Sequence, residues 1–191
     1  MRELVGDHPS QQRFLDEMRA ELERHQPGIA QHLPDEEVWG MKRYTGMDHQ
    51  YWNEALRHGN LDAMARHDSE IKCAVSGMNR LPDWAGTPEH PLVYRGIQID
   101  SVEELDKLLH RYQPGSTVEE RAFTSASKDS PFPGDVQFVI KPHHAKDLEW
   151  LNPTGGMKEV AWSPGNRFEI LSRSYKPETG TWIIHLLDHG R

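Results

Sequence analysis

Cysteine is nearly absent: Cys73 is the single one in 191 residues. That excludes an internal disulfide framework and any zinc site built on several thiolates. Alone, Cys73 reads as a small buried hydrophobe. Long apolar runs are also missing. None approaches the roughly 20 residues that span a bilayer, and Met1 to Ser10 has no apolar core after a basic start, so no secretory signal is expected. Positive charge is in deficit, with 22 Lys and Arg against 30 Asp and Glu and a net charge of −8. Nucleic acid is held through a Lys/Arg surface, so unassisted binding to it is disfavoured. A small anion is not excluded, because it needs only one or two well-placed cations. The patterns G-x-G-x-x-G, P-loop, G-x-S-x-G and H-E-x-x-H are absent too, which leaves Rossmann, kinase, hydrolase and zinc-site readings without support. The 12 histidines show no metal-ligand spacing, and the neighbours His143 and His144 suit two opposite directions better than one ion, so no metal is expected.

What is present argues for a folded chain with a wet surface or a polar cleft. Mean hydropathy is low, at −0.79. Yet there are 6 Trp, 5 Tyr and 5 Phe, which a disordered chain of this polarity would lack. The pattern changes near residue 90. Phe14, Leu15, Met18 and Leu22 recur at helical spacing, and Pro27-Gly28 closes that segment. Further helices are expected over about Asp35–Tyr44, over about His49–Arg57, and from the N-cap Asn60 onward with Leu61, Met64, Ile71 and Val75 turned inward. After residue 91 strands dominate, at Leu92–Ile99 and at about 121–127, 136–141, 159–162, 167–175 and 181–188. One short helix interrupts them behind the capping box Ser101-x-x-Glu104. Pro177-Glu178-Thr179-Gly180 reads as a hairpin turn. Helices first and strands afterwards predict an α+β protein with segregated elements, a helical lobe over 1–90 and a β-sandwich over 91–191 of a single domain. That leaves little chain for a separate translocation or receptor-binding domain.

Three segments of the strand-rich half carry candidate chemistry. In Val93-Tyr94-Arg95-Gly96-Ile97 an arginine sits in an apolar strand, where its charge must be met. Beside a glycine it suits bidentate binding of a phosphate; the alternative is an edge-strand arginine facing solvent. In Phe123-Thr124-Ser125-Ala126-Ser127 strand alternation puts Phe123, Ser125 and Ser127 on one face, where small hydroxyls can orient a carboxylate or a ligand. An ordinary Ser/Thr strand has the same composition. In Gly155-Gly156-Met157-Lys158-Glu159-Val160-Ala161-Trp162 a glycine loop delivers Glu159 to the start of an apolar strand. A carboxylate there can stabilise developing positive charge, or it is simply a solvated loop residue.

Taken in order, an arginine on one strand, a serine on a second and a glutamate on a third, the sequence resembles the arginine–serine–glutamate class of mono-ADP-ribosyltransferases, which includes bacterial ADP-ribosylating toxins. The resemblance extends upstream to Tyr44-Thr45-Gly46, Tyr51 and Asn53-x-x-Leu56-Arg57, and downstream to Pro164-Gly165 and Asn166-Arg167-Phe168, so it covers roughly residues 35 to 188. It implies a split β-sandwich that clamps NAD⁺, used as a substrate, with the helical lobe against one side. On this resemblance Arg95 would hold the diphosphate and the Gly96 backbone would meet the nicotinamide carboxamide. Ser125 would position the glutamate, with Thr124 and Ser127 supporting it, and Glu159 would be the catalytic glutamate. Lys128 and Phe132, on the loop expected to cover phosphate and nicotinamide, would add charge and a stacking ring. The plain-loop reading of both stays open.

One departure bears on the acceptor. Arginine-modifying members of the class carry Glu or Gln two residues before the catalytic glutamate, and here that position is Met157. A thioether cannot orient or deprotonate a guanidinium. Arginine modification would then need another group, such as Glu149, on the stretch His143 to Lys158 that corresponds to the target-recognition loop. Trp150 on that stretch is either a target contact or core. The expectation is a transferase acting on a protein of a host or competitor cell, delivered as a toxin or effector into the target cytoplasm, with a cognate immunity protein as a further partner. The rivals are NAD⁺ glycohydrolysis, an ordinary cytoplasmic enzyme, and a degenerate binding module that keeps the fold.

Overall fold

A computed structural model describes residues 9–130, 133–152 and 158–191. The expected segregation is present. Four helices come first: α1 (Pro9–His25), α2 (Asp35–Thr45), α3 (His49–His58) and α4 (Leu61–Arg80). Asn60 caps α4 by accepting the Ala63 N–H at 3.1 Å. Gly59 ends α3 in the left-handed conformation, at φ +62°, which a side chain would resist. Helices α2 and α4 pack closely because both lack a side chain at the contact. A Cβ on Gly40 would lie 2.7 Å from the Ala74 nitrogen, and one on Gly77 2.8 Å from the Met41 methyl. This fixes α2, the helix that carries Lys42 and Tyr44, against the lobe.

Then follow β1 (Val93–Ile97), α5 (Val102–Arg111), β2 (Thr117–Glu120), β3 (Thr124–Ser127), β4 (Val136–Lys141), β5 (Lys146–Asp147), a 3-10 turn (Glu149–Leu151), β6 (Glu159–Trp162), β7 (Asn166–Lys176) and β8 (Thr181–Gly190). The Ser101 hydroxyl accepts the Glu104 N–H at 3.2 Å, so Ser101 caps α5 as expected. The strands run in the order β2-β7-β8-β4-β1-β3-β6-β5, antiparallel except for the parallel pair β4/β8. Between β1 and β3 the ladder is reduced to one pair, Tyr94 with Ser127. There the sheet divides into a five-strand layer and a three-strand layer, which gives the split sandwich. One apolar core lies between the layers, with Phe138, Ile140, Phe168 and Ile184 from one and Ala126, Val160 and Trp162 from the other. A second core joins the helices to the outer face of the small layer, where Phe123, Leu148, Trp150, Leu151 and Ala161 meet Leu15, Tyr44 and Trp52.

Several sequence expectations are corrected. Strand β2 escapes prediction because only Val118 of its four residues is apolar and buried. The predicted strand 121–127 begins only at Thr124, because the Phe123 N–H is taken by the Asn53 side chain of α3 at 3.0 Å instead of a neighbouring strand. Leu61 is exposed; Ile71 and Val75 pack partly buried against the core as expected, and the fully buried face of α4 is Cys73, Ala74, Gly77 and Met78. Cys73 is buried, as expected.

Candidate active site

The joint between the two layers is the floor of a cavity of about 500 Å³. Arg95 enters from β1, Ser125 from β3 and Glu159 from the first position of β6, while α3 supplies His49, Glu54 and Arg57. Where the ladder fails, Arg95 substitutes for it, its Nη1 donating to the Ser125 carbonyl at 2.9 Å. The rest of its guanidinium remains available. A second cavity, of about 410 Å³, shares Arg57 and Arg95 and opens toward Phe138 and Ile140 between the layers. Among the described residues neither arginine forms a salt bridge. Desolvation first, and then the neighbouring charge of Arg95, lower the basicity of Arg57. Two cations side by side, neither held in a salt bridge among the described residues, favour an anion between them.

Glu159 is 4% exposed. Burial raises its carboxyl to about 7, against the opposing pull of the Ser125 hydroxyl, Arg95 and Lys42. Ser125 hydrogen-bonds the carboxylate and also bonds the Tyr44 hydroxyl. An ionised carboxylate only accepts. With Glu159 ionised, the chain therefore runs one way, Tyr44 donating to Ser125 and Ser125 to Glu159. Tyr44 is 1% exposed and its hydroxyl is much less acidic than usual, from burial first and then the charge of Glu159, so it stays a donor.

Of the sequence candidates, Arg95, Gly96, Ser125, Ser127 and Glu159 line the first cavity and Thr124 lines the second. Lys128 does not reach either. It is 7% exposed, and its ammonium is held by Asp147 at 2.7 Å and Glu149 at 3.0 Å, so its charge is already neutralised. Glu149 is the other half of that contact rather than a free carboxylate. Trp150 is fully buried, with its indole N–H donated to the Asp147 carbonyl, and belongs to the core against the helices, so it presents no surface to a target. Phe132 and Met157 lie outside the described residues. Five residues had no assigned role: Lys42, Tyr44, Asn53, Glu54 and Arg57. The spacing of Asn53 and Arg57, one helical turn apart, was the available signal that both share a face of α3.

No protein-family model matches the chain. It is 28% identical over 172 residues, 84% of its length, to a Mycobacterium avium (strain 104) protein named by inference as the NAD(+)–arginine ADP-ribosyltransferase Mav. It is 27% identical over 156 residues, 81% of its length, to the NAD(+)–protein-arginine ADP-ribosyltransferase Tre1 of Serratia proteamaculans (strain 568). It spans only 19% and 33% of the lengths of these curated relatives. Among solved structures, the type III effector XopAI of Xanthomonas axonopodis pv. citri superposes with a TM-score of 0.72 at 19% identity, covering 93% of this chain and 77% of that one. The ADP-ribosyltransferase Vis superposes with a TM-score of 0.66 at 17% identity, covering 98% and 87%. The fold is that of the bacterial ADP-ribosyltransferases. Among the described residues, the cavity at the split brings Arg57 and Arg95, neither of them in a salt bridge, together with the buried carboxylate of Glu159, whose pKa is raised. Among the described residues no group of His, Cys, Asp and Glu could hold a metal, and no helix is long and apolar enough to cross a membrane.

Proposed function

We propose that this chain is a mono-ADP-ribosyltransferase that cleaves the nicotinamide–ribose bond of NAD⁺ and passes ADP-ribose to a protein acceptor, as a toxin or effector. The observation that carries this is the convergence of Glu159, Ser125 and Arg95, with Arg57, on one cavity at the split of the sandwich. The names of the sequence relatives support it.

The roles follow from elementary chemistry. Nicotinamide in NAD⁺ is a cationic leaving group, so no general acid is needed to expel it. The protein must hold the dinucleotide bent, stabilise a ribosyl cation and admit a nucleophile. Arg95 and Arg57 take the diphosphate. Gly96, without a side chain beside Arg95, leaves backbone open to the nicotinamide end. Glu159, ionised and poorly solvated, stabilises the developing cation through its field and a hydrogen bond to a ribose hydroxyl. Ser125, steered by Tyr44, fixes the carboxylate. Thr124 and Ser127 hold the strand.

The acceptor is the finer question. The two relatives are named for arginine, whereas this chain has Met157 two residues before Glu159. Glu54 is, among the described residues, the other carboxylate lining the cavity, and we assign it the cationic side of an acceptor. Water as the acceptor is the second reading; Met157 counts against arginine and does not distinguish water from another side chain.

The purified protein is incubated with NAD⁺, with and without cell lysate, while free nicotinamide is followed. Release that disappears in Glu159→Ala supports the reading. No NAD⁺ binding by calorimetry together with no nicotinamide from the wild type overturns it in favour of a binding module. Mass spectrometry of the lysate then separates transfer from hydrolysis and identifies the modified side chain.

A further inference from the structure

Lys42 of α2 sits outside the catalytic set yet holds the ground next to it. Its ammonium donates to the Leu151 carbonyl at 2.8 Å and to the Asn152 side-chain oxygen at 3.0 Å. Both partners are neutral, and among the described residues Lys42 forms no salt bridge. The segment it grips is bonded to Glu159 at its other end, where the Leu148 N–H donates to the Glu159 carbonyl at 3.0 Å. Only Glu149 and Trp150 therefore separate the residue gripped by Lys42 from the residue bonded to the backbone of the candidate catalytic glutamate. Lys42 and Glu159 also act on each other's charge.

The other charges around Glu159 are committed or variable. Arg95 of β1 opposes it, but a bound diphosphate would neutralise that guanidinium. From α2 the remaining group is Tyr44, a neutral donor. From β3 come only hydroxyls, Ser125 and Ser127, and β1 adds the phenol of Tyr94. Helix α3 faces the cavity with His49, Glu54, Arg57 and His58, a set of mixed sign whose arginine would also be drawn to phosphate. On the side of β5 and the 3-10 turn, Asp147 and Glu149 are bound to Lys128. Among these described groups, Lys42 combines a fixed position and neutral hydrogen-bond partners with no salt bridge.

We propose that Lys42 is a positioning residue. It pins residues 151–152 to the helical lobe, and it supplies the standing positive charge that keeps Glu159 a carboxylate once NAD⁺ has drawn on Arg95. This rests on the reading of Glu159 as the catalytic carboxylate. It makes the helical lobe part of the electrostatics of the site and not only its wall.

Lys42→Gln removes the charge while keeping a donor. The titration of Glu159, followed by carboxyl carbon NMR in the NAD⁺-free protein, moves to higher pH by about half to one unit. Nicotinamide release at pH 7 drops about two- to fivefold and returns to within about twofold of wild type at pH 9, with the KM for NAD⁺ little changed. Lys42→Arg restores the wild-type profile. An unmoved Glu159 titration with an equal loss at every pH overturns the proposal and leaves Lys42 a structural anchor. Should Lys42→Gln not fold, the reciprocal measurement decides: in Glu159→Gln the Lys42 ammonium titrates at lower pH than in wild type, and an unchanged value overturns the proposal. If the wild type releases no nicotinamide, the reading of the function fails, and the two NMR titrations still decide the coupling of Lys42 to Glu159.

Discussion

Glu159 and Asp188 are buried carboxylates at opposite ends of the same short strand. Glu159 opens β6, and Trp162, which closes it, donates its indole N–H to Asp188 at 2.7 Å. Asp188 also accepts the backbone N–H groups of His143, His144 and Gly190 and the Asn166 amide, all at 2.5 to 3.1 Å. Burial alone would raise its pKa, but these donors outweigh burial and hold it below the ordinary aspartate value. Glu159 is almost as buried but, among the described residues, receives one side-chain hydroxyl, and burial wins. The difference lies in how many preorganised donors each has. A carboxylate saturated by fixed donors ties strands together and has no capacity left for a ligand. One left under-satisfied is costly to keep and ready to respond to a new cation.

The comparison can be broken first at its stable end. Asp188→Ala strands the Trp162 indole, the Asn166 amide and three backbone N–H groups, and destabilisation of about 3–5 kcal/mol is expected in denaturant unfolding. A depressed folded pKa places the stabilising contribution of Asp188 above the ordinary carboxylate range, and it is lost as pH falls through that range. The wild type should therefore lose stability below about pH 4.

At the reactive end the sign is opposite. The raised folded pKa of Glu159 means its contribution is fully present below the unfolded pKa and is lost as pH rises through about 7. Glu159→Gln should then stabilise the protein at pH 8 by on the order of 2–3 kcal/mol, with little change at pH 4, while nicotinamide release falls at least 100-fold. A destabilised Glu159→Gln at pH 8 would mean that the carboxylate is better satisfied than its surroundings suggest.

Two smaller effects sharpen the contrast. Tyr44→Phe removes the donor that orients Ser125 and should slow nicotinamide release about three- to tenfold with NAD⁺ affinity intact. Stopped release with NAD⁺ binding also lost would make Tyr44 a ligand-binding residue instead. Met157→Glu should raise transfer to a free guanidino compound over hydrolysis by a few fold, measured as labelled adduct per nicotinamide released.

Much of the fold was legible because its signals are local. Asn60 and Ser101 cap their helices, Gly59 turns out of α3, and β6 falls at 159–162 as its apolar run implies. Strand β2 was not, since an edge strand with one buried apolar residue has no pattern to read. In the candidate site, Arg95, Ser125 and Glu159 stood out as types in an order. Lys128 and Trp150 each kept two readings, because residue type does not reveal that an ion pair or a core already occupies a side chain.

The amino-acid sequence by itself determined the α+β segregation, the helix ends and the presence of an arginine, a serine and a glutamate on separate strands, all of which rest on spacing and on near-neighbour hydrogen bonds. Only the tertiary structure decided that the sheet splits beside Arg95, that Tyr44 reaches Ser125 from 81 residues away, and that Glu159 is under-satisfied while Asp188 is saturated. The reason is that solvation and donor count depend on what the folded chain packs around a carboxylate, and those partners come from distant parts of the chain.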